Sequence, residues 1–173
     1  PLLHPSMLHK VDTIRLALDG IISPEQQQKM NIILQHYDDL EKNKSNLESL
    51  ILSLSEPYAK ELFLVSTVPG IKNPFSAIAI ISEIGVDMSV FPTAKHLCSW
   101  AGVTPQNNKS ADKKHSVRIS RAGVYIKPLL VQIANAVVKS DKHPEIKNRY
   151  LSIKKRRGHK RAIIAIARML LTA

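Results

Sequence analysis

The chain has 173 residues, one cysteine and a formal net charge of +11, with a pI near 9.9. That length allows one sizeable core, or a core plus an extended arm. A single cysteine, Cys98, excludes an intramolecular disulfide framework and suits a reducing compartment. No apolar run is long enough to cross a bilayer.

The charge is unevenly spread. Residues 1–60 hold six Lys/Arg against eight Asp/Glu, whereas residues 109–161 hold sixteen against three. A local excess of that size repels itself unless a polyanion answers it. Nucleic acid is the first candidate. An anionic membrane surface is the second, since basic helices also bind acidic lipid. The stretch begins at Pro1 and ends at RMLLTA, inside an apolar run without a helix stop, which is the pattern of a segment of a longer protein.

Met7, Leu8, Val11, Ile14 and Leu18 carry a short helical pattern that Asp19-Gly20 ends. Ser23-Pro24-Glu25 has an N-cap followed by Pro at the first helical position, and predicts a long helix to about Glu56. Met30, Ile33, Tyr37, Leu40, Leu47, Ile51 and Leu54 form a heptad seam with Lys44 at its one interruption. Residues 1–56 are expected to form a coiled-coil arm that pairs chains into a dimer or higher homo-oligomer, the alternative being a long helix packed on its own domain. Residues 57–173 form a second, compact helical domain.

In that domain PYAKELFLVS predicts a short helix. A VPGI turn follows, then a helix carrying Ala77, Ile78, Ile80, Ile81 and Ile84 and closed by Gly85. Helix, Pro-Gly turn, helix is the outline of a helix-hairpin-helix unit, which aims backbone N–H groups at phosphate. A second glycine usual for that hairpin is replaced by Lys72. Phe91-Pro92-Thr93 opens another helix, ending near Ala101, that holds Cys98 as a small core residue. Ser120 reads as the cap of a helix from Arg121 to about Lys139, with Leu129, Leu130, Ile133, Ala134, Val137 and Val138 inward. His143-Pro144 opens a basic helix that Gly158 closes, and HKRAIIAIARMLLTA opens a buried last one. The expected fold class is all-α, with room for one small β-hairpin around HSVRIS.

The stretch SWAGVTPQNNKSADKKHSVRISRAG surrounds the hydroxyl of Ser110 with Lys109, Lys113, Lys114, His115, Arg118 and Arg121, and Lys127 follows shortly. Serine is a poor nucleophile at neutral pH and needs a base, or cations that stabilise its alkoxide. In phosphodiester attack the same cations neutralise charge growing on the phosphoryl oxygens. A serine in a basic loop is also often only solvated, so spacing alone favours the loop as a phosphate contact. The loop is expected to be mobile without nucleic acid. A second cluster, Lys154, Lys155, Arg156, Arg157, His159, Lys160 and Arg161, spans a helix end, a glycine and a helix start, where point charges and free N–H groups meet phosphate. Aromatic residues hardly interleave with either cluster, so base stacking is not expected. Tyr125 and Tyr150 read as core residues or hydroxyl hydrogen-bonders. The acids of residues 57–173 are scattered, no His or Cys pattern suits zinc, and no phosphate-binding glycine loop occurs, so no metal or other cofactor is expected in this stretch.

The strings VPGIKNPFSAIAIISEIG, FPTAKHLCSWAGVTPQNNKSADKKHSVRISRAGVYIKPLLVQ and RGHKRAIIAIARMLL resemble the C-terminal transposase domain of DEDD-type insertion-sequence transposases, bacterial recombinases related to the Piv-type DNA invertases. The resemblance covers roughly Leu62 to Leu171. It implies DNA transposition in the bacterial cytoplasm, with no membrane partner. It implies a nucleophile at Ser110, which follows the Gly102-x-x-Pro105 turn. It also implies a structured guide RNA held, with DNA, by Lys72, Lys109, Lys113, Lys114, His115, Arg118, Arg121, Lys154, Lys155, Arg156, Arg157, Lys160 and Arg161. Divalent metal, Mg, is implied on four acids of a RuvC-like N-terminal domain outside this stretch, without which the stretch alone is catalytically incomplete. Many relatives have glycine where Lys72 stands and Ser-Gly where Ser110-Ala111 stand. The alternative is a non-catalytic helix-hairpin-helix module for DNA binding and oligomerisation.

Overall fold

The structure is a computed structural model. It describes residues 4–20, 22–105, 109–110, 113–114 and 119–173, with 109–110 and 113–114 as backbone. His115, Arg118 and the expected mobility of their loop lie outside the described residues. The chain divides into two units, Pro1–Leu54 and Ser55–Ala173.

In the first unit a 3-10 turn, Pro5–Lys10, leads into α1, Val11–Leu18, and then α2, Pro24–Ser55. The start of α2 is a capping box. The Gln26 N–H donates to Ser23 Oγ at 3.3 Å, and the Ser23 N–H donates to Gln26 Oε1 at 3.1 Å. Pro24 at the first position has no N–H to leave unpaired. The helix buries no residue. The seam residues Ile33, Tyr37, Leu40, Leu47, Ile51 and Leu54 are all exposed. Local signals place this helix, and its apolar seam has no partner within the unit.

The second unit opens with a 3-10 turn at Glu56–Tyr58, then α3, Ala59–Ser66, and α4, Pro74–Ile84. The turn between α3 and α4 has Pro69 second and Gly70 third, with the Ile71 N–H donating to the Val68 carbonyl at 3.1 Å and Gly70 at φ +91°. A Cβ on Gly70 would lie 2.1 Å from Val137 Cγ2, so this turn lies flush on the helix that carries Val137. Next come a 3-10 turn, Met88–Val90, and α5, Ala94–Trp100. Two short strands, β1 (Lys109–Ser110) and β2 (Lys113–Lys114), pair antiparallel. The last three helices are α6, Ile126–Lys139, α7, Pro144–Arg157, and α8, His159–Leu171.

The core sits where α6 meets α8 and α7, with α4 against α6. Ile126, Leu130, Ile133, Ala134, Val137 and Val138 supply one buried stripe, and Ala162, Ile163, Ile166, Ala167 and Leu170 the facing one. Ile146 and Tyr150 of α7 close it, and Cys98 is fully buried as expected. Both stripes keep a helical spacing of three and four, which is why these segments are helices and why their apolar faces must meet. Among the described residues no helix is long and apolar enough to cross a membrane.

Two expectations are corrected. The helix expected from Arg121 begins at Ile126. Gly123 sits at φ +66°, outside the right-handed helical region, so residues 121–125 follow a turn instead. Ser120 caps no helix; its Oγ accepts the N–H of Ala122 at 3.3 Å. A strand pair falls at 109–110 and 113–114, and Ile119 of HSVRIS bridges Pro105 in antiparallel fashion, while residues 115–118 of that string lie outside the described ones.

Candidate functional site

The stem of the Ser110 loop is built from glycines. At the end of α5 the Val103 N–H donates to the Cys98 carbonyl at 3.0 Å, and the Gly102 N–H to the Ser99 carbonyl at 3.1 Å, with Gly102 at φ +68°. This is a Schellman cap, and buried Val103 and Cys98 supply its apolar contact. The cap turns the chain sharply toward the returning segment. A Cβ on Gly102 would lie 2.4 Å from the Ala122 carbonyl oxygen, and one on Gly123 would lie 2.2 Å from that of Ala101. Only glycine admits such an approach of two backbones. Pro105 then bridges Ile119 in antiparallel fashion.

Lys127 fastens this crossing. Its ammonium donates to the carbonyls of Ser120 at 2.8 Å and Ala122 at 2.7 Å. Two of its three donors are thereby engaged. A cation adjoining the basic cluster in sequence therefore works as a staple for the returning segment.

From this stem the chain leaves and returns at a fixed place, and the ladder within it sets Ser110 opposite Lys113 and Lys109 opposite Lys114. Arg121 is exposed on the return. The ladder pairs Lys109 and Ser110 with Lys114 and Lys113, and Arg121 lies on the returning segment of the stem. His115 and Arg118 lie outside the described residues.

Lys72 is exposed in the α3–α4 turn. Of the backbone donors there, the Ile71 N–H closes the turn and the Phe75 N–H donates to Asn73 Oδ1 at 3.0 Å.

The second cluster forms the corner between α7 and α8. Lys154, Lys155, Arg156 and Arg157 occupy the last turn of α7, and His159, Lys160 and Arg161 the first turn of α8, all exposed. Gly158 at φ +80° makes the bend. Cations suit the carbonyl end of α7 but oppose the N–H end of α8, which has no acid in its first turn. Among the described residues none of these cations pairs with an acid. Tyr150, 8% exposed, anchors the corner, with its hydroxyl 2.8 Å from His159 Nδ1 and Lys154 Nζ 5.6 Å from its ring centre.

Acids with lowered pKa values are tied up locally. A hydrogen bond from Lys147, then its charge, holds Asp141 below the ordinary carboxylate value. Hydrogen bonds from Ser89 do the same for Asp87, and one from Ser23 does so for Glu25. Among the described residues no group of three or more His, Cys, Asp or Glu could hold a metal ion. The side chains here do not fit the divalent metal that the resemblance implies elsewhere.

Tyr125 is a further correction: its side chain is 75% exposed rather than in the core, and its hydroxyl has no hydrogen-bond partner among the described residues. The staple by Lys127 and the exposure of Tyr125 escaped the sequence reading. The signal available was the pair of glycines, Gly102 and Gly123, that ends two of the quoted motifs.

Residues 63–151, the part that contains α4, α5, the stem and α6, match a family model for insertion-sequence transposases. The class of protein is therefore a transposase, acting in DNA transposition and recombination. The model is that of the IS116/IS110/IS902 family, and since it spans more than half of the sequence, the chain belongs to that family. Among curated proteins and among solved structures, none matches.

Proposed function

We propose that this chain binds DNA and supplies Ser110 as the nucleophile for strand cleavage and exchange. The observation that carries the reading is the stem. Family-matched residues, two glycines and a stapling lysine fix the ends of a basic loop that holds Ser110. Ser110 Oγ forms a bond to a phosphorus, one deoxyribose oxygen leaves that phosphorus and takes up a proton, and the serine proton passes to base or solvent. A deoxyribose hydroxyl from the partner strand then reverses the step, so the number of phosphodiester bonds is kept. Lys109, Lys113, Lys114, His115, Arg118 and Arg121 neutralise the phosphoryl oxygens.

The corner residues Lys154, Lys155, Arg156, Arg157, Lys160 and Arg161, with Lys72, hold further phosphates of DNA and of a structured guide RNA. The exposed seam of α2 pairs chains into a homo-oligomer, which lets two DNA partners be cut together. Divalent metal is assigned to acids of a RuvC-like domain and to no residue of this chain. The site of action is the bacterial cytoplasm.

The test is Ser110→Ala in the intact transposase. The expected outcome is retained DNA binding with strand exchange abolished. Retention of both would make the chain a non-catalytic DNA-binding and oligomerisation module. Binding to anionic liposomes without salt-sensitive DNA binding would point to a membrane surface instead.

A further inference from the structure

Three large apolar side chains stand exposed where the two backbone segments of the stem cross. Trp100 immediately precedes Ala101 on one segment and is 41% exposed. Val124 and Tyr125 directly follow Gly123 on the other, 68% and 75% exposed. The Gly123–Ala101 approach brings the two segments together at this point. Trp100 is braced by Phe91, with ring centres 5.6 Å apart. Tyr125 has no side-chain partner among the described residues. Single exposed apolar residues are ordinary, but a tyrosine exposed to 75% directly after a close backbone crossing calls for a partner.

Charge narrows what that partner is. Residues 109–127 carry six Lys/Arg and one acid, Asp112. Exposed Arg121 lies four residues before Tyr125. An exposed ring four residues from an exposed arginine suits a nucleotide, whose base stacks on the ring while its phosphate meets the cation. A fully paired base offers no free face, so the nucleotide must be unpaired.

We propose that Tyr125, at the stem of the Ser110 loop, is a stacking platform for an unpaired base of a single DNA strand, with Arg121 on the neighbouring phosphate. This rests on the DNA-binding reading above and deepens it. Strand exchange requires a local stretch of unpaired DNA, and Tyr125 would hold one such base out of the duplex at the stem of the Ser110 loop. DNA is chosen over RNA because the platform belongs to the segment that carries Ser110.

The test uses the full chain with a short single-stranded DNA containing one 2-aminopurine, the same sequence as duplex, and the same sequence as RNA. Stacking on Tyr125 quenches the 2-aminopurine fluorescence. Tyr125→Ala should abolish the quenching and weaken single-strand binding by about fivefold or more. Tyr125→Phe should behave as wild type, and duplex affinity should stay nearly unchanged in both variants. Tyr125 is exposed, so circular dichroism of both variants should match wild type. Unchanged quenching and affinity in Tyr125→Ala, with DNA binding intact, would overturn the platform and leave the DNA-binding reading standing. Equal losses on single strand and duplex would overturn it as well. Tyr125 dependence on RNA alone would overturn the assignment to DNA. Failure of the wild-type chain to bind either form of DNA would overturn both readings.

Discussion

Two basic regions lie within 40 residues of one another and use their cations differently. At the stem, Lys127 spends its ammonium on two backbone carbonyls. At the α7–α8 corner, Lys160 and its neighbours stand exposed, without acidic partners among the described residues. Each region also turns on a glycine at positive φ, yet a Cβ on Gly123 would strike the Ala101 carbonyl, whereas one on Gly158 would meet open space. The lesson is that a charge census locates a basic region but not the work of each cation. One region builds a close backbone crossing; the other is an exposed basic surface.

The glycines break or sharpen this contrast most strongly. Gly123→Ala combines a left-handed backbone with a backbone overlap and should destabilise the chain by about 3 kcal/mol or more. Gly158→Ala meets only the backbone term, about 1–2 kcal/mol. Urea unfolding of the two variants checks the order; equal losses would mean the stem is not a close crossing.

The lysines come next. Lys127→Met removes two charge-assisted hydrogen bonds from a half-buried site and should cost about 1–3 kcal/mol. Lys160→Met should leave stability within about 0.5 kcal/mol. The DNA-binding salt slope should respond the other way. It should fall by about one for Lys160→Met and stay constant for folded Lys127→Met. Affinity measured against salt concentration reads both, and a shared response would erase the distinction.

A substitution in the arm serves as the control outside both regions. Leu47→Asp should abolish self-association in sedimentation velocity and leave the urea midpoint of the C-terminal unit unaltered, because Leu47 is exposed in the chain. The smallest effect is acid-side. Lys147 lowers the Asp141 pKa from its ordinary 3.8, so the contribution of this carboxylate is present above that value and is lost as pH falls through the lowered one. Asp141→Asn should remove that small acid-side slope in thermal unfolding. No change at all would mean that solvent screens the pair completely.

Helices with local punctuation were legible. The Ser23/Gln26 box, Pro24, Pro74, Pro144 and Gly158 mark starts and stops by chemistry that acts within one turn of the chain. The stripes of α6 and α8 followed from spacing. The start of α6 was missed because Ser120 is a good cap by composition, and only the long-range contact of Gly123 with Ala101 shows that a turn intervenes. For the same reason Lys127 read as one more cation: its partners, the carbonyls of Ser120 and Ala122, are supplied by the fold of the stem. Tyr125 was misread because an aromatic ahead of an apolar helix usually faces the core, and here the turn at Gly123 leaves it outside.

The most direct test of the central claim is a search for a covalent protein–DNA adduct in the intact transposase with its metal, RNA and a trapped, nicked DNA substrate, mapped by mass spectrometry. The account predicts an adduct on Ser110 that disappears in Ser110→Ala. Full strand exchange by the alanine variant, with no adduct at this position, would contradict it and leave the basic loop as a phosphate contact alone.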